Sequence, residues 1–159
     1  MEDQKEKVKD TERDFEKRHL KVCQECHKEI KIDSKGYHGK FCKLKTLLPQ
    51  LITIAGRNFI GFRQYTAYKE TTGHTILVTE VFDLSNVREK PKIKSEQFLY
   101  GSEPDKEDTK DGPLKHLQKK GMAFTYLRRY ALYTVFNFFP EEDTDGNIRK
   151  KQSTTPYAS

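Results

Sequence analysis

The sequence predicts an α+β domain in which a helix, a three-stranded antiparallel β-meander and a long helix follow one another along the chain. Three observations lead to this fold class. Apolar residues recur at helical spacing over residues 41–54, two β-rich stretches flank a short turn at residues 70–74, and a second helical stretch begins near Pro113. Elements in this order pack as helices on one face of an antiparallel sheet.

The first helix is predicted from apolar side chains that recur every three or four residues. They are Phe41, Leu44, Leu47, Leu48, Leu51 and Ile54. This spacing places them on one face, so the helix is amphipathic. Pro49 is a candidate for a kink or a break within it.

The strands are predicted where the apolar period changes. Residues 58–69 and 75–84 are rich in β-branched and aromatic side chains, and a short turn that contains Gly73 connects them as a hairpin. A third strand is predicted over residues 93–99. Residues 101–113 are polar and contain Gly and Pro, which indicates a loop.

The long helix is predicted from Leu114 to Phe139, because Pro113 suits a first helical turn and both Pro140 and Gly146 end the segment. One of its faces is assigned to the core: Leu117, Phe124, Leu127, Ala131, Val135 and Phe138. A second stripe combines a cation with aromatic rings: Met122, Tyr126, Arg129, Tyr130 and Tyr133.

Charge divides the chain into three parts. Residues 1–31 carry nine basic and nine acidic side chains and few apolar ones, so we expect a charged flexible arm. The net charge of +6 therefore falls on the remainder, where residues 32–146 form the predicted core and 147–159 a disordered tail. A basic domain favours a polyanionic partner such as nucleic acid, although excess lysine is also common without one.

The same composition excludes several classes of function. No apolar run reaches the roughly 18 residues of a membrane span, and the N-terminus is charged, so we expect a cytoplasmic protein without a membrane partner. The chain has no glycine-rich phosphate loop ending in Lys-Ser or Lys-Thr, which argues against ATP-driven chemistry. No carboxylate pair or histidine cluster has catalytic spacing, and we expect no enzyme.

The stripe of cation and rings suits single-stranded DNA, because cations meet phosphates and flat rings stack on bases of any identity. The alternative is that the tyrosines bury their rings and keep their hydroxyls at the edge. The candidate DNA-binding residues on the long helix are Lys119, Lys120, Tyr126, Arg128, Arg129, Tyr130 and Tyr133. The predicted strands offer five further cations, namely Arg57, Arg63, Lys69, Lys92 and Lys94. Of these, Arg57 and Arg63 are candidate DNA-binding residues.

The two adjacent arginines of the long helix are assigned different roles. On a helix they point about 100° apart. We expect Arg129, which shares the tyrosine stripe, to meet phosphates. Arg128 lies closer to the core, and we expect it to pair with Glu141, Asp143 or a neighbouring subunit.

Residues 121–146 carry a specific pattern. Its positions are Gly121, Thr125, Tyr126, Arg128, Arg129, Tyr130 and Leu132, followed by an acidic patch from Glu141 to Gly146. This pattern resembles the core of the ERF (essential recombination function) family of phage single-strand annealing proteins. The likeness extends over roughly residues 36–146 and is only topological outside 121–146. The segment Met122-Ala123-Phe124 is bulkier than the small residues of the family.

The resemblance implies a β-β-β-α annealing-protein core that assembles into a homo-oligomeric ring or arc. It implies annealing of complementary strands without nucleotide hydrolysis, in homologous recombination and DNA repair. Arg128 and Arg129 match the basic pair of the family's core helix. The implied partners are single-stranded DNA and a phage exonuclease or host single-strand-binding protein, in the host cytoplasm if the chain is phage-encoded.

The cysteines leave a different function open. Cys23, Cys26, His38 and Cys42 have a spacing that a tetrahedral zinc site could use, which would make the protein a zinc-dependent nucleic-acid-binding regulator. Cysteine on a helix is often a small core residue, so we expect no zinc. A third hypothesis is a scaffold whose basic face meets an acidic protein.

The acidic patch also has alternatives. A divalent cation could act as a helper that bridges the patch to DNA. The patch could instead be a solvated helix terminus or pair with arginines of a neighbouring subunit. A calcium loop is discounted, because no Glu stands at its closing position.

Overall fold

The computed structural model describes residues 2–36, 39–86, 88, 90–99 and 113–141. Its elements in chain order are α1 (Glu2–Glu29), β1 (Ser34–Gly36), β2 (Gly39–Phe41), α2 (Leu44–Arg57), β3 (Ile60–Lys69), β4 (His74–Asp83), β5 (Ile93–Phe98) and α3 (Pro113–Phe136). The prediction of a mixed α+β protein with an antiparallel sheet and a C-terminal helix is confirmed. The predicted loop at 101–112, the acidic residues 142–146 and the tail at 147–159 lie outside the described residues.

The main sheet is an antiparallel meander in the order β3-β4-β5. Its register places Phe62 opposite Val81, and Val81 opposite Ile93. Gly73 closes the β3–β4 turn with φ +69° and donates its N–H to the Lys69 carbonyl at 2.8 Å, a conformation that favours glycine. A second, two-stranded sheet, which was not predicted from the sequence, pairs β1 with β2.

Helices α2 and α3 pack on one face of the main sheet, which we call the inner face, and α1 packs against α2 and α3. Side chains alternate along each strand, so Ile60, Phe62 and Gln64 share this face. The core residues come from all three helices and from the sheet: Phe15, Val22, Cys26, Ile30, Cys42, Leu47, Leu51, Ile54, Ala55, Ile60, Val81, Leu132, Tyr133, Val135, Phe136 and Phe138. Within the described part of the chain, no helix combines the length and apolar character required to cross a membrane.

The structure corrects the prediction of a flexible arm over residues 1–31. Residues 2–29 form one helix, and its second half belongs to the core: Phe15 is 5% exposed, and Val22 and Cys26 are fully buried. The apolar residues of this segment are few, but steps of seven and four residues place them on a single helical face. Their burial against α2 and α3 outweighs the low average hydrophobicity from which the arm was predicted.

Two features of the helices differ from the sequence expectation. Pro49 lies inside α2 and does not break it. The long helix ends at Phe136, before the predicted Phe139, because Asn137 adopts a left-handed conformation with φ 48°. The N–H of Phe138 then donates to the Tyr133 carbonyl at 3.1 Å, a hydrogen bond that satisfies an otherwise free helix-terminal carbonyl.

Arg18 of α1 connects three parts of the fold. Its Nη1 donates to the carbonyls of Asn58 (3.2 Å) and Phe59 (3.0 Å) at the corner between α2 and β3. Its Nη2 donates to Asp83 Oδ2 at the end of β4 (2.8 Å), and its Nε to Asp14 (3.0 Å). Phe59 has φ 55°, a strained conformation for a non-glycine residue, so Arg18 fixes a corner that the local sequence does not favour.

We expect Arg18→Ala to lower the free energy of unfolding by about 2–4 kcal/mol, because it leaves the buried Asp83 carboxylate without its cation. Urea unfolding of the variant and the parent measures this. The control is Lys17→Ala, an exposed position on the same helix, where we expect a change below about 0.5 kcal/mol.

The effect of Arg18→Ala should also depend on pH. Burial raises the pKa of the Asp83 carboxyl, but hydrogen bonds from Arg18 and Ser85 outweigh burial and hold the pKa below its ordinary value. The stabilisation is therefore fully present above the unfolded-state pKa of about 3.9 and is lost as the pH falls through the lower folded-state pKa. A difference between parent and variant that persists unchanged at pH about 2 would contradict this assignment.

Candidate nucleic-acid interface

Arg129 and Tyr130 of α3 belong to a largely buried polar cluster together with Tyr133 and Glu141. Glu141 accepts hydrogen bonds from the hydroxyls of Tyr130 and Tyr133, each at 3.0 Å. Arg129 Nη2 lies 3.5 Å from the same carboxylate, and the side chains of Arg129 and Glu141 are only 12% and 11% exposed. We call these four side chains the Glu141 cluster.

The hairpin β1–β2 explains why this cluster is buried. The Arg129 guanidinium lies 4.6 Å from the centre of the Phe41 ring on β2, and its Nε is buried without a hydrogen-bond partner. The expected orientation of the two arginines is therefore corrected, since Arg129 and not Arg128 pairs with Glu141. Tyr133 is 3% exposed, so its ring belongs to the core and offers no stacking surface.

The environment of the cluster keeps its tyrosines neutral. Burial, with hydrogen bonds to Tyr126 and Glu141, raises the pKa of Tyr130 well above its ordinary value. Burial and the adjacent Glu141 do the same to the pKa of Tyr133. Both hydroxyls consequently remain hydrogen-bond donors to the carboxylate, which is the role of a structural network.

Arg128 is attached to the inner face of the sheet. Its Nε donates to Gln64 Oε1 at 3.2 Å, and Gln64 Nε2 donates back to the Arg128 carbonyl at 3.0 Å. The guanidinium also lies 5.8 Å from the centre of the Phe124 ring. This exchange aligns α3 with β3, so Arg128 positions the helix on the sheet.

The first half of α3 is much more exposed than the second half. Leu117, which was assigned to the core, is 64% exposed, and Phe124 and Leu127 are only half-buried. Met122 and Tyr126 are 74% and 49% exposed, and Lys119 also faces solvent. Of the predicted DNA-binding residues on this helix, Lys119 and Tyr126 are exposed and Lys120 is half-buried.

A second accessible surface lies on the face of the main sheet opposite the helices, and we call it the outer sheet face. Strand alternation places on it Arg63, Tyr65, Lys69, His74, Glu80, Phe82, Lys94, Glu96 and Phe98. Phe98 is 57% exposed and Tyr65 39% exposed, while Ile76 and Val78 fill the floor between them. Of the predicted strand residues, the structure places Arg63, Lys69 and Lys94 together here.

Cations and rings alternate across the outer sheet face. The Arg63 guanidinium lies 4.7 Å from the centre of the Phe82 ring and 5.5 Å from that of Tyr65. The buried Glu80 carboxylate accepts hydrogen bonds from Arg63 Nη2, at 3.2 Å, and from the Tyr65 hydroxyl. That hydrogen bond to Glu80 raises the pKa of Tyr65. Glu80 therefore fixes a guanidinium and a ring side by side on an open surface.

The remaining charges of this face form one exposed group. Glu96 forms salt bridges with Lys69 Nζ, at 3.0 Å, and with Lys94 Nζ, at 3.3 Å. Hydrogen bonds from these two lysines lower the pKa of the Glu96 carboxyl. Exposed pairs of this kind are weak, so either lysine can exchange its carboxylate for a phosphate at little cost.

Arg57 is engaged elsewhere. Its guanidinium donates to Glu25 and Glu29 of α1, which joins the C-terminus of α2 to α1. The prediction that Arg57 is a strand cation is wrong, because the residue ends a helix and faces two carboxylates.

The cysteines lie in or beside the core. Burial raises the pKa of all three thiols. The pKa of Cys26 rises to about 12 and the pKa of Cys42 to about 11, and the pKa of Cys23 also lies above its ordinary value. Zinc binds thiolates, and these environments favour thiols. His38 lies outside the described residues, and in the part that the structure describes no three His, Cys, Asp or Glu side chains form a group suited to a metal ion.

No family model, curated protein or solved structure matches the chain. The resemblance to the ERF family stays a prediction based on residues 121–146. The aromatic residues of the outer sheet face are absent from the predicted site residues. The signal for them was present, because residues 34–69 contain no Asp or Glu, and Arg63, Tyr65 and Lys69 occupy alternate positions of one strand.

We expect Arg129→Ala to lower the free energy of unfolding by about 2–4 kcal/mol, because Glu141 would stay buried without a cation. Urea unfolding provides the measurement. The control is Thr134→Ala, whose exposed hydroxyl bonds only to its own helix, with an expected change below about 0.5 kcal/mol. An Arg129→Ala protein as stable as the parent would mean that the Glu141 cluster does not stabilise the fold.

We further expect a chelator of divalent metals to leave the thermal midpoint unchanged, because the buried thiols contribute to the core as apolar groups. Differential scanning calorimetry with and without the chelator checks this. A midpoint that falls on chelation and recovers when zinc is added would support the zinc-dependent regulator instead.

Proposed function

We propose that the protein binds single-stranded DNA and anneals complementary strands without nucleotide hydrolysis, in homologous recombination. The observation that supports this proposal most directly is the outer sheet face. It presents the guanidinium of Arg63, two lysines and exposed rings on the face of the sheet opposite the one on which α2 and α3 pack. The resemblance of residues 121–146 to the annealing family adds to this proposal.

The spacing of the outer sheet face suits a single strand. Neighbouring strands of a sheet lie roughly 4.8 Å apart, and residues that share a face of one strand lie about 6.6 Å apart. Rings at Tyr65 and Phe98 can therefore stack on bases of any identity, while Arg63 and Lys94 meet phosphates. A duplex hides its bases, so exposed rings on an open surface favour unpaired strands.

The carboxylates of the outer sheet face limit the strength of binding. Glu80 and Glu96 neutralise part of the charge of Arg63, Lys69 and Lys94, so each phosphate contact replaces an existing ion pair. An annealing protein must hold bases exposed and still allow mismatched strands to leave, which requires weak contacts that are sensitive to salt. Partial neutralisation meets this requirement without any hydrolytic step.

Self-association is part of the proposal. Within the described residues β3 and β5 each pair only with β4, so both edges of the main sheet present free backbone groups. Pairing between copies would extend the sheet and place successive outer sheet faces along one strand of DNA. The family resemblance implies that the copies assemble into a ring or an arc. It also implies that the protein acts with a recombination exonuclease or a single-strand-binding protein.

The proposal predicts annealing of complementary oligonucleotides in the absence of ATP, measured by fluorescence quenching of paired dyes. Arg63→Ala should lower the slope of log affinity against log salt by about 0.7, the contribution of one phosphate on a single strand. Phe98→Leu should weaken binding by about 1–3 kcal/mol, because one stacking ring is lost.

Two control variants separate these effects from general ones. Lys17→Ala removes an exposed cation of α1, and Phe59→Leu removes a ring that is 61% exposed at the α2–β3 corner. Both should bind like the parent. If the parent neither binds nor anneals single strands, the proposed function is wrong. Retention of an acidic protein in place of DNA would favour the scaffold hypothesis.

A further inference from the structure

The last strand of the main sheet has an open edge that carries both a cation and an anion. Among the described strands, β5 pairs only with β4. Its residues on the outer sheet face are Lys94, Glu96 and Phe98, and the side chains of Lys94 and Glu96 are 53% and 36% exposed. A lysine on an edge strand usually opposes pairing with a second copy, because like charges would meet. In β5 an acid two positions away can reverse that effect.

The hydrogen bonds of the sheet decide which backbone groups of β5 point to the open edge. In an antiparallel pair, residues that bond to one neighbour alternate with residues whose N–H and C=O point away from it. The Leu99 N–H donates to the Thr75 carbonyl at 3.1 Å, so odd-numbered residues of β5 bond to β4. The Leu84 N–H donates to the Phe59 carbonyl at 2.9 Å, which directs the even-numbered residues of β4 to β3 and gives the same result. The even-numbered residues of β5 therefore turn their backbone groups to the open edge.

These even-numbered residues include the two charged ones, and a two-fold axis matches them. If two copies of β5 pair antiparallel about an axis at Ser95, Lys94 lies opposite Glu96 of the second copy, and Glu96 opposite its Lys94. Both positions direct backbone groups to the edge, so each pair can also exchange two hydrogen bonds. Opposite charges directly across an antiparallel pair are favourable. An axis at Glu96 would instead place two carboxylates opposite each other, so the charges favour the register centred on Ser95.

The other edge of the main sheet lacks this complementarity. Between Ile60 and Lys69, β3 contains the cations Arg63 and Lys69 and no acidic residue. Two copies of β3 therefore cannot form an ion pair across their strands. The chemistry of β5 thus supports a contact between identical edges, and β3 is left for any larger assembly.

From this complementarity we propose that two copies of the chain pair through β5 about a two-fold axis at Ser95, which joins their main sheets into one six-stranded antiparallel sheet. This contact rests on the proposed function for its purpose, since it specifies how the outer sheet faces of two copies combine. The axis stands perpendicular to the sheet, so both outer sheet faces lie on the same side of the pair.

The pair would present one continuous surface to a nucleic-acid strand. Lys69, Lys94 and Glu96 of each copy meet at its centre, where Glu96 already bonds to both lysines within its own chain. Arg63 and Tyr65 of each copy lie on the two β3 strands at the ends of a sheet roughly 24 Å wide. A strand that contacts both copies gains affinity over one that contacts a single copy, because the second contact forms at a high effective concentration.

The test uses the symmetry of the pair. Lys94→Glu gives a copy with two carboxylates on the edge, and Glu96→Lys gives a copy with two ammonium groups. Each variant alone should be monomeric at concentrations where the parent is a dimer, because like charges meet at both pairs of positions. An equimolar mixture of the two variants should restore the dimer, since both pairs then join opposite charges. Sedimentation velocity at low salt, without DNA, measures the mass.

The matched controls are Lys17→Glu and Glu16→Lys, which make the same changes of charge at exposed positions of α1 and should remain dimeric like the parent. A monomeric parent, or a mixture of Lys94→Glu and Glu96→Lys that stays monomeric, would show that the β5 contact is wrong. Binding of a fluorescent oligothymidylate by the same parent would then still support the proposed function.

The remaining outcomes also separate the two proposals. Single variants that assemble like the parent would place the contact elsewhere, as in head-to-tail pairing of β5 with β3, and would overturn the two-fold pair. A parent that forms the dimer and exchanges partners as expected, but binds no oligonucleotide, would support the β5 contact and overturn the proposed function alone.

Discussion

The arrangement of this fold depends on how Arg18 holds α1 against the rest of the chain. One guanidinium connects the helix, the α2–β3 corner and the end of the central strand. Two histidines of α1 complete the attachment, since His19 and His27 bond to the Val135 and Asn137 carbonyls at the end of α3, at 2.8 and 3.0 Å. With α1 in place, the apolar faces of α2 and α3 are covered on the side opposite the sheet.

Arginine and lysine have different tasks in this protein. Arg18, Arg57 and Arg129 are engaged with carboxylates between elements, where a planar guanidinium can bond to several acceptors at once. Much of the exposed positive charge is lysine, on the outer sheet face and around the β1–β2 hairpin. Lysine is a mobile, strongly hydrated cation, so it attracts a polyanion without fixing its path. The net charge of +6 is therefore available to a partner chiefly through flexible side chains.

The tyrosine stripe shows how one helical face can change its role along its length. Tyr126 and Tyr133 lie on the same face of α3, yet Tyr126 is 49% exposed and Tyr133 is 3% exposed. The difference arises because Phe41 and Glu141 cover only the second half of that face. Sequence periodicity predicts which residues share a helical face. It does not predict which part of that face is buried, because the residues that bury it, Phe41 and Glu141, lie about ninety positions earlier and a few positions later in the chain. The alternative of buried tyrosine rings therefore holds for Tyr133, while the ring of Tyr126 stays accessible.

The sequence by itself determined α2, the three strands of the main sheet and α3, in this order. The helical spacing of Leu47, Leu51 and Ile54 predicted α2, and β-branched and aromatic runs around Gly73 predicted the hairpin of β3 and β4. These are local signals, set by the period of burial and by turn chemistry. Only the tertiary structure decided that the N-terminal segment is a core helix, that Arg129 is buried and that the outer sheet face is open. These outcomes depend on contacts between residues distant in sequence, such as Arg18 with Asp83, which no local pattern contains.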